Sequence, residues 1–132
     1  MISELSMDIS AYWDGRELNL ACSLDSLRQL IGILRRNDVG NYQLRTEVDA
    51  SNGANISTLE FEPRASKLVL AISDRRAIFS GNLPSFYLLA DNLEFLCGQW
   101  SKKNDQHLHL EPSSNQFLFS PESEAIIVSK RN

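Results

Sequence analysis

His107 and His109 stand two positions apart in the run Gln106-His107-Leu108-His109-Leu110, and they are the only imidazoles in the chain. On a strand this spacing turns both side chains to one face, where they could ligate one metal ion. A third ligand does not follow from spacing, because Asp105, Glu111 and Cys97 fit no known metal-binding pattern. The pair also reads as a polar patch facing a partner, or as ordinary exposed strand histidines. The expectation is no metal site.

Nucleophilic catalysis has still less support. No serine lies in a G-x-S-x-G elbow, and neither Cys22 nor Cys97 has the basic sequence neighbours that make a thiol reactive. Gly81 reads as a turn residue and has no companion glycines to form a phosphate loop. The chain is expected to be no enzyme, to have no catalytic residues and to need no cofactor.

Polar and aromatic residues that anchor or steer a protein partner are easier to find. His107, His109 and Glu111, followed by the loop Pro112-Ser113-Ser114-Asn115, form one candidate surface; Tyr12, Asp14 and Arg16 form a second. Glu47, Asp49, Glu60, Glu62 and Glu111 are expected on or beside the strands that follow each helix, where carboxylates would steer and select a basic partner. Trp13 and Trp100 lie on apolar stripes and are expected in the core.

The elements that must hold these residues follow from hydrophobic spacing. Met7, Ile9, Ala11 and Trp13, then Leu18, Leu20 and Cys22, alternate with polar or small residues and predict two strands, with a type I′ hairpin turn at Asp14-Gly15. Ser23 is placed to cap a helix carrying Leu24, Leu27, Leu30, Ile31 and Leu34, which ends near Arg35 and Arg36. Strands follow around Tyr42 to Val48, broken at Ser51-Asn52-Gly53, then at Ile56 to Glu62, Lys67 to Ser73 and Ala77 to Ser80. Asn82 and Pro84 open a second helix, whose face carries Phe86, Leu89, Ala90, Leu93, Leu96, Cys97 and Trp100. A turn at Ser101 to Asp105, a strand at His107 to Glu111, a packed loop at Gln116 to Ser120 and a last strand at Ala125 to Ser129 complete the chain.

The two halves match when offset by 59 residues, setting Leu20 on Phe79, Ser23 on Asn82, Ser26 on Ser85, Leu27 on Phe86 and Leu34 on Leu93. After the second helix an offset of about 64 sets Leu44 on Leu108 and Glu47 on Glu111. The predicted fold is α+β, a two-layer sandwich of pseudo-duplicated ββαββ units, about 5–62 and 67–130, within one domain spanning 1–132. Side by side, the units would form a mainly antiparallel curved sheet with both helices on one face.

Charge and composition narrow the function classes. A net charge of −4 and a pI near 5.1 disfavour nucleic acid as the main ligand, since phosphate binding needs a cationic surface. The sequence has no apolar run of membrane-spanning length, and MISELSMDIS lacks the pattern of a secretory signal. Cys22 and Cys97 read as small buried residues in a reducing compartment, so a soluble cytoplasmic protein is expected.

The run Gly81-Asn82-Leu83-Pro84-Ser85-Phe86, with Leu89-Ala90-Asp91-Asn92-Leu93, His107-Leu108-His109 and the closing strand at Ala125 to Val128, resembles the α+β immunity proteins of bacterial polymorphic toxin systems. The resemblance is to the family numbered thirty-two among them, and it is concentrated from Lys67 onward. The first half agrees in element order and in the Asp14-Gly15 hairpin with its Glu17-Leu18 strand. The resemblance implies a small cytoplasmic protein, encoded with a secreted toxin, that neutralises it by direct binding without catalysis or cofactor. A second class stays open: a secretion chaperone or assembly adaptor that binds an extended segment of an effector.

Overall fold

The computed structural model describes residues 6–36, 40–46, 54–100 and 107–130. The element order is β1 (Ser6–Trp13), β2 (Glu17–Cys22), α1 (Leu24–Arg36), β3 (Gly40–Thr46), β4 (Ala54–Asn55), β5 (Thr58–Pro63), β6 (Val69–Ser73), β7 (Arg76–Gly81), α2 (Leu83–Gly98), β8 (His107–Leu110) and β9 (Ala125–Lys130). Glu47, Val48, Asp49, the Ser51-Asn52-Gly53 break and the turn at 101–105 lie outside the described residues.

Both helices start as their caps dictate. The Ser26 N–H donates to Ser23 Oγ at 3.1 Å, and the Ser85 N–H donates to Asn82 Oδ1 at 2.9 Å, so equivalent side chains satisfy equivalent orphan donors. Helical spacing then buries Leu27, Leu30, Ile31, Ile33 and Leu34 on α1, and Phe86, Leu89, Ala90, Leu93 and Leu96 on α2. The helices pack against each other, and Arg35 joins them at the surface through Asp91 at 2.8 Å and Glu94 at 2.9 Å. These exposed pairs set orientation more than stability.

The fold is α+β. Among the described residues the strands form one nine-stranded sheet in the order β6-β7-β5-β3-β1-β2-β9-β8, with the short β4 also paired to β1. Five pairings are antiparallel and three are parallel. Burial alternates along β2 and β9. Met7, Ile9, Ala11, Leu18, Leu20, Cys22, Leu59, Phe61, Ala77, Phe79, Ile126 and Val128 are buried in the core shared with the helices. Phe61 stacks on Phe79 with centroids 5.2 Å apart. Trp13 and Trp100 are half-buried and pack against this core, as does Cys97, which is not fully covered.

The duplication is visible in the pairing register. Glu17 opposite Ala125 through Cys22 opposite Lys130 repeats as Arg76 opposite Thr58 through Gly81 opposite Pro63, in six parallel steps each. Two expectations need correction. The units do not lie side by side: β6–β7 and β8–β9 sit at opposite ends of the sheet and flank the first unit on both sides. After the second helix, the pairing of Tyr42 with Leu59 corresponds to that of Leu110 with Ile126, so Leu108 is the counterpart of Gly40 and not of Leu44. The segment between helix and strand is longer in the second half than the offset of about 64 allowed, because the apolar pattern does not fix where pairing begins.

Gly81 also differs from its expected role. It ends β7 instead of sitting in the turn, and a Cβ there would lie 3.2 Å from Leu68 Cα, so glycine answers a close backbone approach. No described helix is long and apolar enough to cross a membrane.

Leu93 is 1% exposed at the centre of the α2 stripe. Leu93→Ala is expected to cost about 2–5 kcal/mol, the range for truncating a buried leucine, measured by urea or thermal unfolding. An unchanged melting temperature would remove α2 from the centre of the core.

Candidate functional site

The sheet face opposite the helices is where the sequence's candidates meet. Alternation along β1 and β2 sends Tyr12, Glu17 and Asn19 to this face while their neighbours enter the core. Register then sets Tyr12 opposite Asn19, Asn19 opposite Ile127, and Ile127 opposite His109, so one rung crosses four strands. His109 Nε2 lies 3.1 Å from Glu17 Oε2 and 3.8 Å from Glu111 Oε2. The two candidate surfaces, one from each end of the chain, are thus a single surface with Glu17 as the link. His107 is exposed, opposite Ser129 on the next same-face rung.

The hairpin beside this rung is built by Asp14. Its Oδ1 accepts the N–H of Arg16 and of Glu17, each at 2.9 Å, and its Oδ2 accepts the Asn19 amide at 3.2 Å. Gly15 has φ +93°, but Asp14 does not share the positive φ that a type I′ turn at Asp14-Gly15 requires. The carboxylate-centred turn draws the reversal one residue onward, to Gly15-Arg16, and this corrects the sequence expectation. Asp14 therefore shapes the surface, and Arg16 is carried outward at the tip.

From Arg16 a cleft of about 660 Å³ opens between the end of β8 and the start of β6. Arg16, Lys67, Glu111, Pro112, Gln116 and Phe119 are among its walls. The loop from β8 to β9 forms one side. Asn115 Oδ1 accepts the Glu111 N–H at 2.9 Å, and Leu118 and Phe119 are buried while Phe117 is 87% exposed. Lys67 Nζ donates to the Gln116 carbonyl at 2.8 Å, tying the loop to the far wall. Of the loop expected to pack from Gln116 to Ser120, only Leu118, Phe119 and Ser120 are buried; Gln116 and Phe117 face outward. What its apolar pattern did not disclose is the surface it covers, the outer edge of β6.

The arrangement offers charge and shape. Its cations and carboxylates are exposed or half-exposed, and among the described residues no group of three or more His, Cys, Asp or Glu side chains is placed to hold a metal ion. Of the other acidic residues, Glu60 pairs with Arg76 at 3.1 Å in the other half of the sheet, and Glu62 is exposed. Burial pushes the Cys97 thiol up, away from the thiolate a nucleophile needs. Sequence reasoning missed Glu17, Lys67 and the cleft. Glu17 was legible as an outward position on β2, but its meeting with His109 depends on the parallel pairing of β2 with β9.

A second surface feature is apolar. Leu83, Tyr87, Leu88 and Phe95 are exposed on α2, with Phe95 66% accessible. Comparison with protein-family models, with curated proteins and with solved structures finds no match.

Burial tends to raise the Asp14 carboxyl, but the hydrogen bonds from Glu17, Arg16 and Asn19, with the Arg16 charge, outweigh it and hold the group below its ordinary 3.8. A depressed folded-state value means that the ionised carboxylate stabilises the fold above pH 3.8, and that this contribution is lost as pH falls through the lower folded value. Asp14→Ala is therefore expected to destabilise the protein more at neutral pH than in acid well below 3.8, as read from paired urea titrations. An equal penalty at both would deny the carboxylate its charge-dependent role.

Purified protein is also expected to carry no stoichiometric zinc and to keep its melting temperature after chelation. Bound zinc that disappears in His107→Ala would assign the histidines a ligand role.

Proposed function

We propose that this protein is a bacterial immunity protein that neutralises a cognate polymorphic or contact-dependent toxin by direct, non-catalytic binding. The reading begins with the resemblance carried by the Gly81 to Phe86 run and the His107-Leu108-His109 strand. The observation that carries it furthest is the convergence of His109, Glu17, Glu111, Tyr12 and Arg16 on one sheet face beside a cleft. Such a surface suits recognition: half-exposed carboxylates speed encounter and select a basic partner, while a few anchors supply most of the affinity. The protein would act in the cytoplasm, against a toxin domain that carries complementary basic residues.

The apolar stripe on α2 favours a second reading, a secretion chaperone or assembly adaptor that covers an apolar segment of an effector. Gene neighbourhood separates the two, because a large toxin gene directly upstream accords with the first and secretion-apparatus genes with the second.

Replacing His109 and Glu111 together with alanine is expected to weaken toxin binding by at least about 1.4 kcal/mol, tenfold, and to reduce protection of cells that express the toxin. The melting temperature of the double variant reports whether the fold is intact. Undiminished affinity and protection in a folded double variant would place the interface elsewhere, first on the Tyr12 to Arg16 hairpin.

A further inference from the structure

On the sheet face opposite the helices, one imidazole is set between two carboxylates from distant parts of the chain. His109 Nε2 lies 3.1 Å from Glu17 Oε2 on β2 and 3.8 Å from Glu111 Oε2 just after β8. Ser114 Oγ donates to Glu111 Oε1 at 3.1 Å, which leaves Oε2 to face the imidazole. The bridge to Glu17 crosses β9, where Ala125 is opposite Glu17 and Ile127 is opposite His109. All three side chains reach solvent, with 45% of His109, 25% of Glu17 and 40% of Glu111 exposed, so a protein docking here meets them directly.

Among the described residues, the other groups on this part of the face are few. β9 contributes Ala125, Ile127 and Ser129, and β8 contributes His107, opposite Ser129. At the hairpin, Asp14 is committed to the Arg16 and Glu17 N–H groups and to the Asn19 amide, while Arg16 is carried to the tip, where it shares a cleft wall with Glu111. Histidine is the side chain whose charge ordinarily changes between about pH 5 and 8, and glutamate ordinarily stays ionised above about pH 5. A neutral imidazole with its proton on Nε2 donates to Glu17 and leaves both carboxylate charges in place. The imidazolium instead sets a whole positive charge against them and competes for them with any other cation.

We propose that His109 makes the hold of this surface on a basic protein partner depend on pH, weakening it as the imidazole gains a proton. The proposal rests on the partner-binding reading above and adds the regulation of that same site. A lysine or arginine of the partner and the proton on His109 draw on the same two carboxylates, Glu17 and Glu111. Each therefore weakens the hold of the other by the same factor, so binding of the partner releases protons. Water and salt reach these side chains and limit the effect to a several-fold change that shrinks as ionic strength rises.

The test is calorimetry of the full chain, native and His109→Gln, with the toxin domain encoded by the adjacent gene, at about pH 5.5 and about pH 8. Glutamine keeps an N–H donor at position 109 and carries no charge at either pH. The loss of affinity on going to the lower pH is expected to be at least threefold greater in the native protein than in His109→Gln, a comparison in which titration of His107 and of the toxin itself cancels. Between these pH values, titrations in two buffers of different ionisation enthalpy are expected to show protons released on binding to the native protein and fewer released with His109→Gln. Equal pH ratios or equal proton release in the two proteins would overturn the proposal while leaving toxin binding intact; absence of any complex at either pH would overturn both. Melting temperatures at both pH values check the fold, and His109→Asn, also neutral, gives the same comparison should His109→Gln not fold.

Discussion

Two parallel ladders hold this molecule together, β2 with β9 and β5 with β7, each running six residue pairs. Every other strand pairing lies within one repeat, so these ladders are where the halves of the sheet join. A parallel pair cannot be closed by a tight turn, and here the connections pass through helices and other strands instead. The result is an interlocked sheet in which the second repeat grips both ends of the first. Apolar residues recur at every second position across both ladders, as Leu18 with Ile126 and Leu20 with Val128, and as Leu59 with Ala77 and Phe61 with Phe79. A slip of one residue in either would turn these side chains out of the core, so burial fixes the register.

That register also makes the candidate surface. Glu17 and His109 are far apart in the chain, and they meet because β9 lies between β2 and β8. The core face and the polar face are therefore set by the same alignment: Leu18 and Leu20 enter the core only if Glu17 and Asn19 face outward. Where the end of β8 comes near the start of β6, the fold leaves a cleft walled by Arg16, Lys67 and Glu111.

Much of this was legible in the sequence. Alternation and helical spacing located both helices with their caps, the first hairpin and the closing strand, because these signals are local and the caps at Ser23 and Asn82 use the same physics. The two-residue β4 was too short to carry a period. Alternation says which face a residue takes but not which strand lies beside it, so the straddling arrangement of the repeats and the Glu17–His109 contact were out of reach. The Asp14-Gly15 turn was located but mistyped, since the Asp14 carboxylate competes for backbone donors in a way that a dipeptide preference does not describe. The candidate residues were thus found as two separate groups, and only the fold made them one.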